Sequence, residues 1–293
     1  MIHGKRNTLT DMCVNDAMRR NFNAIPETTS IDFSINTLIK HKVNGILTLD
    51  INSNPVGVIS KTDIIGAYYA GLPIDSPVEY IMARPPLLCS LDAPLEVALE
   101  QMIENSVYRL YVTQDDSTVI GSLAYPDIVG LLYRSCHDCE YSHFHRDRNN
   151  DGNSVKRILV QDVVAEELKS VTSDDPLSTV LEEISTYRFG AILVQDSTYK
   201  PVGVISKTDL ILAYKHGIAL DALASTIMSF PVETCNREDL LEQALRKMIF
   251  SDIHRLFVKS IKDDTLSGVF SLTDAARSRS GSCHACISSR ITM

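Results

Sequence analysis

Apolar residues recur at helical spacing in four places along the chain. Ile31, Ile35, Leu38 and Ile39 share one face. Leu95, Ala98, Leu99, Met102 and Ile103 repeat that spacing, as do Leu177, Val180, Leu181 and Ile184, and then Leu241, Ala244, Leu245, Met248 and Ile249. Behind each stripe comes a short apolar run rich in β-formers: Ile46–Leu49, Leu110–Val112, Ala191–Val194 and Leu256–Val258. A polar turn follows, such as Asp50-Ile-Asn-Ser-Asn54 or Gln114-Asp-Asp-Ser-Thr118, and then a second apolar run. The pattern predicts helix, strand, turn, strand, helix, four times over.

The second strand of each unit runs into a recurring motif. Pro-Val-Gly-Val-Ile-Ser-Lys-Thr-Asp occupies 55–63 and returns unchanged at 201–209, about half the chain later. Gly121-Ser-Leu-Ala-Tyr-Pro-Asp127 and Gly268-Val-Phe-Ser-Leu-Thr-Asp274 keep the same Gly-to-Asp spacing. A fixed long period means copies of one unit. The copies alternate in two kinds. The second and fourth also match at Tyr108-Arg109-Leu110 and His254-Arg255-Leu256, at Cys89 and Cys235, and through the segments Ile81-Met82 and Ile227-Met228. The short oxygen side chains at the motif's end predict a helix start, because they cap free backbone N–H groups. The helix that follows is apolar on one side, as at Ile64, Ile65 and Tyr68, or Leu210, Ile211 and Tyr214.

One unit of this size buries little surface alone. The domain expected is therefore a pair of units per half: residues 8–140 (units 8–72 and 73–140) and 157–287 (units 157–218 and 219–287), with 141–156 as a polar linker. A chain of 293 residues, 44% hydrophobic and 22% charged, fits two ordinary globular domains. The net charge of −9 argues against a general nucleic-acid backbone binder. No apolar run approaches the roughly 18 residues of a membrane span and no signal pattern opens the chain, so no membrane association and a cytoplasmic location are expected.

On these residues the chain resembles the CBS-domain family, from Val14 to Arg277. The resemblance implies a mixed α/β (α+β) fold of four β-α-β-β-α units, paired into two Bateman modules. In nucleotide-binding members the motif Asp accepts hydrogen bonds from ribose hydroxyls and the Ser or Thr three residues earlier lies near phosphate. Carried over, the ribose carboxylates would be Asp63, Asp127, Asp209 and Asp274, and the hydroxyls Ser60, Ser206 and Ser271. The second unit departs from the pattern at Ala124, so its site is expected to be weak or empty. Val107-Tyr-Arg-Leu110 and Ile253-His-Arg-Leu256 are similar to a basic segment of the regulatory γ subunit of AMP-activated protein kinase. By that match Arg109, His254 and Arg255 would contact phosphate. The ligand implied is an adenine nucleotide, AMP or ATP, or another adenosyl compound, held in clefts between paired units. The second half is expected to bind more strongly.

The residues also admit a plainer reading. Ser and Asp cap a helix whatever else they do, and the glycine can serve the turn or let backbone approach a ligand closely. Arg109 and Arg255 can be solvated strand-edge cations, and Lys61 and Lys207 fit a solvated face as well as a phosphate. Cys89 and Cys235 read as small buried side chains.

Seven cysteines include two pairs at equivalent ends of the halves, Cys136/Cys139 and Cys283/Cys286. Four thiolates could hold one zinc or an iron–sulfur cluster if the two ends meet. Cys136, Cys139, His143 and His145 alone could make a tetrahedral zinc site. A reversible dithiol switch and unligated thiols complete the alternatives. Asp147-x-Asn149-x-Asp151-Gly152 resembles the start of a calcium loop, but Ile158 stands where the bidentate Glu is needed.

No Ser/His/Asp set, Walker loop or acid–base pair is present, so no enzyme is expected. The reading is a regulatory binding protein whose ligand state is passed to an unidentified partner protein, either as a homodimer or with its own two modules together. The alternative is a metal or redox sensor with the CBS units as scaffold.

Overall fold

The four helical stripes become four helices, and each closes a parallel crossover in front of a hairpin. In the computed structural model, which describes Leu9 and residues 12–114, 118–137, 158–166, 168–260 and 265–278, the first repeat follows a short α1 (Val14–Ala17). It contains β1 (Ala24–Pro26), α2 (Ile31–Lys40), β2 (Gly45–Leu49), β3 (Pro55–Ser60) and α3 (Lys61–Tyr69). The second contains β4 (Leu88–Ser90), α4 (Leu95–Glu104), β5 (Arg109–Thr113), β6 (Val119–Ala124) and α5 (Tyr125–His137). The third contains β7 (Ser170–Thr172), α6 (Leu177–Thr186), β8 (Ala191–Gln195), β9 (Pro201–Ser206) and α7 (Lys207–Lys215). The fourth contains β10 (Thr234–Asn236), α8 (Leu241–Phe250), β11 (Arg255–Lys259), β12 (Leu266–Ser271) and α9 (Leu272–Arg277). This is the mixed α/β, β-α-β-β-α fold that the resemblance implied. The leading strands β1, β4, β7 and β10 were absent from the pattern read directly, because three residues are too short to show alternation.

Each repeat builds one three-stranded sheet, its first pair parallel and its second antiparallel. The hairpin register slips at the same point in all four, just after the pair Thr48↔Gly57, Val112↔Gly121, Val194↔Gly203 or Val258↔Gly268. The motif glycine therefore always stands beside a bulge, where a ladder is bent and twisted.

The chain folds into two compact bodies. One joins Asn21–Leu87 to Lys169–Val232, and so holds the first and third repeats. The other joins Met1–Arg20, Leu88–Leu168 and Glu233–Met293, and so holds the second and fourth. Each body gathers repeats of like kind, a partition distinct from the one-module-per-half division at 8–140 and 157–287.

In the first-and-third body, α3 and α7 lie side by side. Ile35, Leu38, Ile64, Leu181, Ile184 and Leu210 belong to one buried core. Tyr68 and Tyr214 stack across it with centroids 5.0 Å apart. Their hydroxyls reach out reciprocally, Tyr68 donating to the Ile218 carbonyl at 2.6 Å and Tyr214 to the Leu72 carbonyl at 2.5 Å. At the other end of the helices, Lys61 Nζ donates to Thr208 at 2.9 Å and Lys207 Nζ to Thr62 at 2.7 Å. These lysines are thus engaged between repeats. In the second-and-fourth body, α5 packs on α9, α8 and α1 over fully buried Val14, Leu99, Met102, Ile128 and Ala275. Cys89 and Cys235 are buried in their strands, as small core side chains.

Candidate functional site

Each motif ends its strand with a capping residue and starts its helix with Asp at the third position. In three repeats the Ser does both halves of a capping box. Ser60, Ser206 and Ser271 accept from the backbone N–H of Asp63, Asp209 and Asp274 at 3.4, 3.4 and 3.3 Å. The same hydroxyls donate to Oδ2 of those carboxylates at 2.6 Å each. The backbone N–H of each Ser also donates to that Oδ2, at 2.8, 2.7 and 2.9 Å. In the second repeat Ala124 supplies only the backbone bond, to Asp127 Oδ2 at 2.9 Å. The cap reading therefore holds at all four positions, and the Ser proton is already given to the carboxylate.

The cap uses one carboxylate oxygen and turns the other outward. Oδ1 of Asp63 and of Asp274 accepts no hydrogen bond among the described residues. Asp209 Oδ1 accepts from Ser229 Oγ at 3.1 Å. Asp127 Oδ1 accepts from Arg19 Nε, in an ion pair between an exposed guanidinium and a buried carboxylate. Burial pushes the Asp63 carboxyl above its ordinary 3.8, against the Ser60 hydrogen bonds and the charge of Lys207. Burial also pushes Asp127 up, against Arg19.

Arg19 escaped the sequence reading, and so did the segment that carries it. In every repeat a fourth, isolated strand-like residue pairs with the residue after the motif glycine: Ala83 with Val58, Arg19 with Ser122, Ser229 with Val204, and Ala165 with Val269. Each pair exchanges two backbone hydrogen bonds of 2.8 to 3.1 Å. This pairing explains the glycines. A Cβ on Gly57, Gly121, Gly203 or Gly268 would stand 2.8, 2.6, 3.1 or 2.7 Å from the carbonyl oxygen of Ala83, Arg19, Ser229 or Ala165. The glycine admits the protein's own backbone, a role that the sequence pattern did not reveal. The matching Ile81-Met82 and Ile227-Met228 were the available signal, since each immediately precedes the pairing residue.

The basic segments lie together in the second-and-fourth body. Arg109 and Arg255 open the equivalent strands β5 and β11, with Tyr108 and His254 just before them. The Tyr108 and His254 rings stack at 6.1 Å, and the Tyr108 hydroxyl lies 3.4 Å from His254 Nδ1. Tyr125 meets Tyr108 edge-on at 5.4 Å. Arg109 donates to buried Ser122 at 2.7 Å. Burial pulls the Arg255 guanidinium down from its ordinary value, while Tyr108 and Asp274 draw it back up. Arg109 and Arg255 are therefore not solvated strand-edge cations. Arg109 Nε and the Tyr125 hydroxyl are buried and have no hydrogen-bond partner among the described residues. Of the sequence-predicted site residues, this body gathers Arg109, Asp127, His254, Arg255, Ser271 and Asp274. The other holds Ser60, Asp63, Ser206 and Asp209.

Cys139, Cys283, Cys286, His143 and His145 lie outside the described residues, as does the 141–156 linker. Cys136 falls in the last turn of α5, and its side chain is likewise outside them. Among the described residues, no cluster of His, Cys, Asp or Glu could hold a metal ion. No described helix is long and apolar enough to cross a membrane.

The family model of the CBS domain matches this chain four times, at residues 14–70, 78–134, 160–216 and 224–281. The uncharacterized protein MJ1225 of Methanocaldococcus jannaschii is 19% identical over 198 residues, 68% of each chain. Its crystal structure, named as that of a proposed archaeal homologue of γ-AMPK, covers 89% of this chain and 97% of its own at 18% identity, with a TM-score of 0.72. An uncharacterized conserved protein from Pyrococcus horikoshii covers 92% of this chain and 100% of its own at 18% identity, with a TM-score of 0.60. A shorter CBS-domain protein of Pyrobaculum aerophilum, solved in complex with AMP, is 24% identical and covers 40% of this chain and 90% of its own, with a TM-score of 0.38.

Proposed function

This chain belongs to the CBS-domain family, and we propose that within it the protein is a regulatory sensor of an adenosine-containing ligand such as AMP or ATP. One observation carries the reading: each capping box consumes a single carboxylate oxygen, and at Asp63 and Asp274 the second has no partner. A ribose offers two hydroxyl donors in fixed geometry, and a carboxylate accepts them. Ser60, Ser206 and Ser271 then serve by fixing the carboxylate, since their protons are spent on it.

The buried Arg109 Nε and Tyr125 hydroxyl favour an anionic group beside the second-and-fourth motifs. Arg109, Arg255 and His254 are the phosphate contacts in this reading. In this reading Asp63 and Asp274 are the stronger ribose sites, Asp209 is intermediate because Ser229 already donates to it, and Asp127 is the weakest; the second half is therefore not uniformly the stronger binder. Charge-assisted bonds contribute on the order of 1.5–3 kcal/mol each, and two or three with base burial suit micromolar affinity, roughly −8 kcal/mol. Nothing in this chemistry makes or breaks a bond, so the protein acts by binding alone. The ligand favours one conformation by its differential affinity, and a partner chain reads that conformation in the cytoplasm. The halves 8–140 and 157–287 are the tandem modules of this proposal.

Calorimetric titration with AMP, ATP and S-adenosylmethionine tests it. Heat and stabilisation with at least one are expected, and Asp63→Ala with Asp274→Ala loses most of that binding while the far-ultraviolet spectrum stays native. Silence with all three ligands defeats the reading.

A further inference from the structure

The residue that pairs beside the motif glycine occupies one equivalent place in four copies, yet its side chain differs in each. Ala83, Arg19, Ser229 and Ala165 all make the same two-bond bridge. Each is exposed, and each occupies the same bridge position of its repeat, the place from which Arg19 and Ser229 reach the outward oxygen of a motif Asp. The four copies form an internal series. Beside Asp63 and Asp274 the residue is Ala, and Oδ1 is left without a partner. Beside Asp209 it is Ser229, which donates one neutral hydrogen bond at 3.1 Å. Beside Asp127 it is Arg19, whose guanidinium takes Oδ1 in a charge-assisted bond. Asp127 is also the most deeply buried carboxylate of the four, at 8% exposure.

We propose that this position sets which motifs accept a ribose, and that Arg19 is a built-in plug on the second motif. The inference rests on the adenosine-ligand reading above. Arg19 satisfies, within the chain, the acceptor that a ribose diol would otherwise fill. A ligand at Asp127 must first displace a guanidinium from a buried carboxylate, whereas at Asp63 and Asp274 it displaces only solvent. Ala124 weakens the cap of Asp127, but Arg19 closes the site. Ser229 makes the third motif intermediate, because a neutral hydroxyl can rotate away.

The test counts AMP equivalents by equilibrium dialysis on the full chain. Arg19→Ala should bind one equivalent more than the wild type, and adding Asp127→Asn should remove it. Ala165→Arg installs the same plug beside Asp274 and should bind one equivalent fewer. The backbone bridge is unchanged in each, and Ala165 faces solvent, so this gain of a plug keeps the test decisive even if Arg19→Ala proves unstable. A wild type that binds AMP with a count unmoved by Arg19→Ala and Ala165→Arg overturns the plug alone. A wild type and an Arg19→Ala variant that both fail to bind AMP, ATP and S-adenosylmethionine overturn the plug together with the adenosine reading.

Discussion

Two glycines nine residues apart should respond to alanine in opposite directions. Gly57 lies in β3 against the bridge residue, and an added Cβ would stand 2.8 Å from the Ala83 carbonyl oxygen, 2.9 Å from Met82 Sδ and 2.9 Å from Thr48 Oγ1. Two of those neighbours are side chains, but the first is backbone held by hydrogen bonds of 2.9 Å in both directions to Val58. Either the methyl is forced in, at the ~1–3 kcal/mol typical of overpacking, or the bridge opens and two hydrogen bonds worth ~1 kcal/mol each are lost. Both routes converge on a destabilisation of about 2 kcal/mol. Gly66 sits inside α3, exposed, with nothing within 4 Å of its would-be Cβ. There alanine removes only unfolded-chain freedom and should stabilise by up to ~1 kcal/mol. The assay is urea unfolding of Gly57→Ala, Gly66→Ala and wild type by circular dichroism, since the chain has no tryptophan. A Gly57→Ala midpoint at or above the wild-type value would refute the reasoning, because the close approach of segment 82–83 would then place no demand on that glycine.

Three other outcomes follow from the same structure. Tyr68→Phe and Tyr214→Phe should each cost ~1 kcal/mol by stranding the Ile218 or Leu72 carbonyl, and by nearly equal amounts because the contacts are reciprocal; a neutral effect from either in urea unfolding would contradict the pairing. Burial raises the folded-state pKa of Asp63, so the folded chain holds that proton more tightly than the unfolded one. Its contribution to stability is full below the ordinary 3.8 and lost as pH climbs through the raised value, so Asp63→Asn should gain on the wild type over that window in thermal melts, and parallel curves would count against it. Burial pushes the Cys89 thiol up to about 11 and Cys235 up to about 12, so peptide mapping after alkylation at pH 8 should find both unmodified in native protein and modified in urea, and native modification of either at a free-thiol rate would show the burial to be wrong.

Much of this was readable in the chain because the signals were local. Ser60, Ser206 and Ser271 three residues before an Asp state a capping box directly, and the stripes at Ile31–Leu38 and Leu241–Met248 state their helices. What escaped was either too short or too far away. Three-residue strands such as β4 carry no period, and their pairing rests on a neighbour that arrives only after a helix. Arg19 lies 108 residues from Asp127, and no propensity links them. The motif glycine was visible, but its cause was a segment in another part of the sequence. The grouping of like repeats was hidden for the same reason: identical strings reveal a shared shape without saying which copy packs against which.

That grouping has a consequence for how the copies act. When two copies of one unit pack on each other, their contacts come in matched pairs, as Tyr68 with Tyr214 and Lys61 with Lys207 do. In the first-and-third body the matched contacts leave one difference beside the carboxylates, Ala83 at one bridge and Ser229 at the other. The second-and-fourth body breaks the match at three places around its motifs. Arg19 stands where the fourth repeat has Ala165, Ala124 where it has Ser271, and Tyr108 where it has His254. Tyr108 and His254 also touch each other directly, at 3.4 Å, each just ahead of a half-buried arginine in the chain. On the ligand reading proposed above, occupancy at Asp274 without occupancy at Asp127 would make binding to this pair asymmetric, and of the three differences the arginine beside the second motif is the one that takes a motif carboxylate.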